Sequence, residues 1–172
     1  FTDGYGPNES VYKYFIEQQD VSLIITVDNG VAGHEAIAYA QNQGVDVVVT
    51  DHHSMPADLP CAYAIIHPEH PDANYPFPYL AGCGVAFKVA CALLETIPTE
   101  MLDLVAIGTI ADMVSLTDEN RIMVKAGLEV MKDSERIGLQ ELISLSNIDL
   151  KTLNEETIGF KIAPQLNALR SE

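Results

Sequence analysis

A carboxylate followed at once by two imidazoles, Asp51-His52-His53, closes a run in which five of six residues (45–50) are apolar or β-branched. Such a run describes a strand buried on both faces. Its carboxyl end is where open parallel α/β sheets place their ligands. Consecutive strand side chains point to opposite faces, so three polar groups in a row share one site only where the strand ends and the chain turns. Neutral imidazole nitrogens beside carboxylate oxygens suit Mn²⁺, Zn²⁺ or Fe²⁺ better than an all-oxygen ion such as Ca²⁺. A solvated turn bearing two exposed histidines is the competing reading of the tripeptide by itself.

Two further carboxylates fit the same chemistry. Asp28 ends the preceding apolar run, VSLIITVD (21–28), and is followed by the turn pair Asn29-Gly30. If the two runs are adjacent parallel strands, their ends lie roughly 5–10 Å apart, given a strand spacing of about 4.8 Å. Asp112 interrupts the apolar stretch TEMLDLVAIGTIADMV (99–114). A lone carboxylate in a buried helix is costly unless paired or metal-bound, whereas at a helix end on the surface it costs little.

The elements that must position these groups follow from periodicity and punctuation. Asn8 or Ser10 caps a helix to about Gln19, and a helix over 34–44 ends at Gly44. Strand, crossover helix and strand within about 30 residues make a right-handed βαβ unit with parallel strands. A proline-rich passage from Pro56 to Pro78 carries one short apolar run, AYAIIH (62–67), read as a third strand. Helical periodicity then takes over in segments 80–95, 99–114, 119–134, 138–146 and 155–163. The expectation is an α/β fold, with a parallel sheet and crossover helices up to about residue 80 and a mainly helical remainder. As domains we assign 1–115 to the α/β core, incomplete at its N-terminal side, and 116–172 to a helical continuation.

Bulk composition sets limits. The chain has 172 residues, 48% of them apolar, which is enough for a sizeable core. With 25 acidic and 9 basic residues the net charge is −16, so the chain repels phosphate backbones unless cations supply local positive charge. The three cysteines, Cys61, Cys83 and Cys91, lack paired spacing and read as reduced thiols of a cytoplasmic protein, with Cys83 and Cys91 in the core. No run approaches the length of a membrane span. The opening FTDGYGPN has no initiator Met and reads as a loop inside a domain, so a fragment is expected.

VDNG, TDHH and GTIADMVSL, in that order, resemble successive motifs of the DHH phosphoesterase superfamily. FTDGYGPN, HPEHPDANYPFPYLAGCGVAFK and IAPQLNA narrow the resemblance to its RecJ-like exonucleases, over essentially the whole chain. The resemblance implies hydrolysis of single-stranded DNA from the 5′ end with two divalent cations, Mn²⁺ or Mg²⁺, in DNA repair and recombination. It implies that Asp28 bridges the metals, that His52 and Asp112 are ligands, and that Asp51 orients a histidine from behind. His53 would face the substrate phosphate or join the metal site. The superfamily's Asp-x-Asp motif precedes the FTDGYGPN region, so the isolated chain is expected to be inactive. A DHH-type pyrophosphatase, a phosphodiesterase for cyclic dinucleotides or short oligonucleotides, and a non-catalytic interaction module are the alternatives.

Weaker candidates complete the reading. Gly82 and Gly84 open a helix whose free N–H groups can meet phosphate, or they simply allow a tight turn. Lys88 can reach a phosphate or stand exposed. Arg121 can clamp a phosphate or pair with Asp118 or Glu119. His34 and His67 can shape the pocket or sit in turns, while His70 is read as solvated. Asn167 matches the family's substrate-contacting tail, but Leu169-Arg170 departs from it.

Overall fold

The computed structural model describes residues 6–168; FTDGY and Leu169-Arg170 lie outside the described residues. The chain divides into two compact units, Phe1–Pro78 and Tyr79–Glu172.

The first unit is built on a three-stranded parallel sheet in the order β1-β2-β3, with β1 Leu23–Val27, β2 Asp46–Thr50 and β3 Ala64–Ile66. Helices α1 (Glu9–Gln19) and α2 (His34–Asn42) precede β1 and β2 respectively. Asn8 caps α1 by accepting the Ser10 N–H at 2.8 Å. Gly44 takes φ +76 after α2, so that Val45 N–H reaches Ala40 O and Gly44 N–H reaches Gln41 O, each at 3.0 Å. That pair of bonds is a Schellman stop, which frees the chain to enter β2 immediately. The core gathers Tyr12, Ile37, Ala40, Val45, Val47 and Val49 beneath one face of the sheet. Residues Leu23, Ile25 and Val27 alternate onto the other face and are half-exposed. The third strand is shorter than the sequence led us to expect: the Ala62 N–H turns back to Pro60 O at 2.8 Å instead of joining the ladder.

The second unit is helical: α3 Gly82–Leu94, α4 Leu102–Ala111, α5 Asp118–Lys132, α6 Ile137–Leu145, and a segmented helix over 155–168. That segment comprises α7 Glu155–Thr157, a π-turn at Ile158–Ile162 and α8 Ala163–Ala168. Its core joins Ala106, Ile107, Val124, Leu128, Met131, Leu139, Ile158 and Ile162. Helices α4 and α5 approach so closely at Gly127 that a β-carbon there would overlap the Leu102 carbonyl oxygen. The boundary assigned at 115/116 therefore falls between two intimately packed helices of one unit. Cys83 and Cys91 are half-buried, not core, because each lies on the margin of the buried stripe of α3.

Candidate metal centre

The turn after β1 presents Asp28. Its backbone adopts φ 63, in the left-handed region, and its N–H donates to Thr50 O at 3.0 Å. Asn29 Nδ2 donates to Val27 O at 3.0 Å, and Thr26 Oγ1 donates to Asn29 O at 2.6 Å, folding the turn back over the strand. Gly30 takes φ +126, and a β-carbon there would sit 2.7 Å from Thr26 Oγ1 and 2.8 Å from Val49 Cγ1. Only glycine fits that place. The turn is thus sewn to β2, and Asp28 is delivered to the end of the neighbouring strand.

Asp51 follows β2 and is fully buried. Its Oδ2 accepts the Val31 N–H at 3.0 Å; its Oδ1 accepts His53 Nδ1–H at 2.7 Å, with His52 N–H at 2.7 Å and His53 N–H at 3.2 Å. Burial pushes this carboxyl up, but the Val31 N–H, the His53 ring and the two backbone N–H groups outweigh it. The pKa lies below the ordinary carboxylate value. A carboxylate can only accept, so His53 carries a proton on Nδ1, and in the neutral ring the lone pair lies on Nε2.

His52 Nε2 lies 3.0 Å from Asp28 Oδ1, and the His52 and His53 rings are 4.7 Å apart between centroids. Asp28, His52 and His53 each offer one ligand atom, all within 4.8 Å of one another. Two ligands of a common ion at about 2.1 Å stand at most about 4.2 Å apart, so a pair at the 4.8 Å limit has to close by about 0.6 Å or more to share one ion. The donor set, one carboxylate oxygen and two imidazole nitrogens, fits a borderline divalent cation.

Asp112 is the C-cap of α4 in the second unit; it is exposed, and Met113 after it takes φ 57. The burial cost anticipated for it does not arise, because the helix ends at Ala111. A carboxylate there instead faces the negative end of the helix dipole, which a cation would relieve. Gly82 and Gly84 are buried in α3, and a Gly84 β-carbon would meet Met123 Cε at 3.4 Å and Leu80 Cδ2 at 3.5 Å, ordinary van der Waals distances. Lys88 pairs with Glu119 at 2.6 Å. Arg121 is exposed and, among the described residues, makes no ion pair with Asp118 or Glu119. Asn167 is exposed near the end of α8. His34 opens α2 and lines a cleft with Pro7, Asn8, Glu9 and Glu35. His70 Nδ1 accepts the Asp72 N–H at 3.2 Å, in a turn.

Two polar clusters escaped the sequence reading. Asp103, almost wholly buried, accepts from Arg136 Nε at 3.0 Å and Ser134 Oγ at 2.7 Å, 31 or more positions away. Buried Asn120 donates to Tyr79 O at 2.6 Å and Ser115 O at 3.0 Å, tethering the segment that follows Asp112. Partners so distant in sequence leave no local signal.

The first unit is a parallel α/β fold with histidines and a carboxylate gathered at its strand ends, and the sequence profile of the DHH family, N-terminal domain, matches residues 4–109. The chain belongs to the DHH family. It is 52% identical over 169 residues to the single-stranded-DNA-specific exonuclease RecJ of Bacillus subtilis (strain 168), covering 98% of this chain and 21% of that protein. The crystal structure of exonuclease RecJ bound to manganese superposes with a TM-score of 0.77 at 34% identity, covering 91% of this chain and 40% of that one. RecJ from Thermus thermophilus in complex with Mn²⁺ gives 0.78 at 31%, covering 92% and 24%. The chain spans about a fifth to a third of the length of the curated RecJ relatives it matches. Among the described residues no helix is long and apolar enough to cross a membrane.

Proposed function

We propose that the chain is part of the catalytic core of a cytoplasmic RecJ-like exonuclease that removes nucleotides from the 5′ end of single-stranded DNA in repair and recombination. The observation that carries this reading is the cluster of Asp28, His52 and His53 donor atoms within 4.8 Å at two adjoining strand ends. Asp28, His52 and His53 hold divalent cations, Mn²⁺ or Mg²⁺, and motif order adds Asp112 to the ligands. Bound there, two such cations supply Lewis acidity toward a water and toward the phosphoryl oxygens. Asp51 keeps His53 in the Nδ1–H tautomer, leaving Nε2 to coordinate. Substrate contacts are assigned to His53, Arg121, Asn167 and the α3 start at Gly82 and Gly84. The division at 115 is one of sequence motifs, placed after the last metal-bearing motif; the compact units of the fold divide between Pro78 and Tyr79.

The identity to RecJ relatives favours the exonuclease over a pyrophosphatase or a cyclic-dinucleotide phosphodiesterase of the same family. The acidic pair that the resemblance places upstream completes the ligand set, so the 172-residue chain alone is inactive. The test is Mn²⁺-dependent release of nucleotides from 5′- and 3′-labelled single strands by the longer protein and by this chain. Release from the 5′ end by the longer protein, abolished by Asp28→Asn, is expected. Release from the 3′ end, or preferred hydrolysis of pyrophosphate in competition, overturns the substrate assignment. Robust turnover by the 172-residue chain overturns its inactivity.

A further inference from the structure

We infer that His67 is a positioning residue for the metal centre, acting through the backbone of His53. It lies 14 positions downstream, at the end of β3, and is 5% exposed. Its Nε2 lies 2.8 Å from the His53 carbonyl oxygen, and its Nδ1 lies 3.0 Å from the Glu69 backbone nitrogen. The two contacts together fix the proton. Glu69 N–H can only donate, so Nδ1 carries the lone pair; the His53 carbonyl can only accept, so Nε2 carries the hydrogen. One neutral tautomer satisfies both.

The consequence lies at the turn. His53 hangs from the end of β2, where the ladder to β3 runs out after Asp51 N–H meets Ile66 O at 3.2 Å. Beyond that bond the turn is held on one side by the Asp51 carboxylate and on the other by His67. Asp51 fixes the ring and both N–H groups, while His67 fixes the carbonyl. The peptide groups on both sides of the His53 α-carbon are thus each held, one through its N–H and the other through its carbonyl, which restrains φ and ψ at His53 and the angle at which its imidazole is presented. Partners that orient metal ligands from behind typically change metal affinity by about 10–100-fold when removed.

This inference rests on reading Asp28, His52 and His53 as a metal site, and its test separates the two. In the full chain, His67→Phe keeps the volume and loses both bonds, whereas His67→Gln retains a donor able to reach the His53 carbonyl. Mn²⁺ affinity is read by electron paramagnetic resonance, and exchange of the His53 ring N–H by NMR without metal. His67→Phe is expected to weaken Mn²⁺ binding about tenfold and speed ring N–H exchange by a similar factor. His67→Gln is expected to restore both. Unchanged affinity in a folded His67→Phe chain, or a loss that His67→Gln does not reverse, overturns the role. If the unsubstituted chain binds no Mn²⁺, the metal-site reading fails and ring N–H exchange alone decides the positioning role, unchanged exchange overturning it. Should His67→Phe not fold, the ¹⁵N shifts of His67 in the unsubstituted chain decide: Nε2–H with bare Nδ1 supports the clamp, and the reverse tautomer refutes it.

Discussion

Replacing Asp51 with Asn is nearly isosteric yet removes the charge on which the turn is organised. The carboxylate is fully buried and faces four N–H groups, three on Oδ1 and one on Oδ2. An amide has one accepting oxygen. Placed toward His52 and His53, it turns its own NH₂ on the Val31 N–H, and a buried donor left without an acceptor costs about 1–3 kcal/mol. The remaining bonds lose their charge assistance, worth about 1 kcal/mol more. The expected loss is about 3 kcal/mol near neutral pH, read by urea unfolding under far-UV circular dichroism. Acidity gives a second signature. The Asp51 pKa is depressed in the folded state, so its contribution is fully present above the unfolded value of about 3.9 and disappears as pH falls through the lower folded value. The gap between the two proteins should therefore hold constant from neutrality to about pH 5 and narrow below about pH 4. A gap under about 0.5 kcal/mol, within the range of ordinary surface substitutions, or one that does not narrow in acid, refutes the account of Asp51 as the organising acceptor.

Gly127→Ala should lower stability by about 2 kcal/mol or more despite the better helix propensity of Ala, since α4 and α5 would have to part; a rise in melting temperature would contradict the close approach. Asp103→Asn should cost about 2–4 kcal/mol and Arg136→Met about 1–2, the guanidinium being partly solvated and the carboxylate not. In a denaturation cycle the two losses should overlap strongly, and simple additivity would mean that the pair does not act as a unit.

The sequence carried the first unit well because its signals are local. Gly44 stops α2, valines at 45, 47, 48 and 49 write β2, and Asp28 and Asp51 mark strand ends that parallel pairing brings side by side. That register, Val27 opposite Thr50, brings the two strand ends together, and the left-handed turn at Asp28 carries its carboxylate to His52. What stayed hidden depends on folding at a distance. Nothing near Asp103 announces Arg136, and nothing near His53 announces His67, because those partners come from other turns of the chain. For Asp112 the apolar neighbours on both sides left two readings open, a buried carboxylate or one at a helix end on the surface; the helix ends one residue earlier and the residue is exposed.

The handedness of the backbone at Asp28 narrows what can ever stand there. Left-handed geometry is tolerated by glycine, asparagine and aspartate, and penalises longer or branched side chains. Glutamate brings the oxygens but strains the corner, and glycine relaxes the corner but brings no oxygen. Aspartate alone meets both demands, so the residue is doubly constrained. Asparagine is then the replacement that keeps the shape while emptying the charge, and a chain carrying it would fold like its parent and, on the proposed reading of Asp28 as a ligand, lose only its grip on cations.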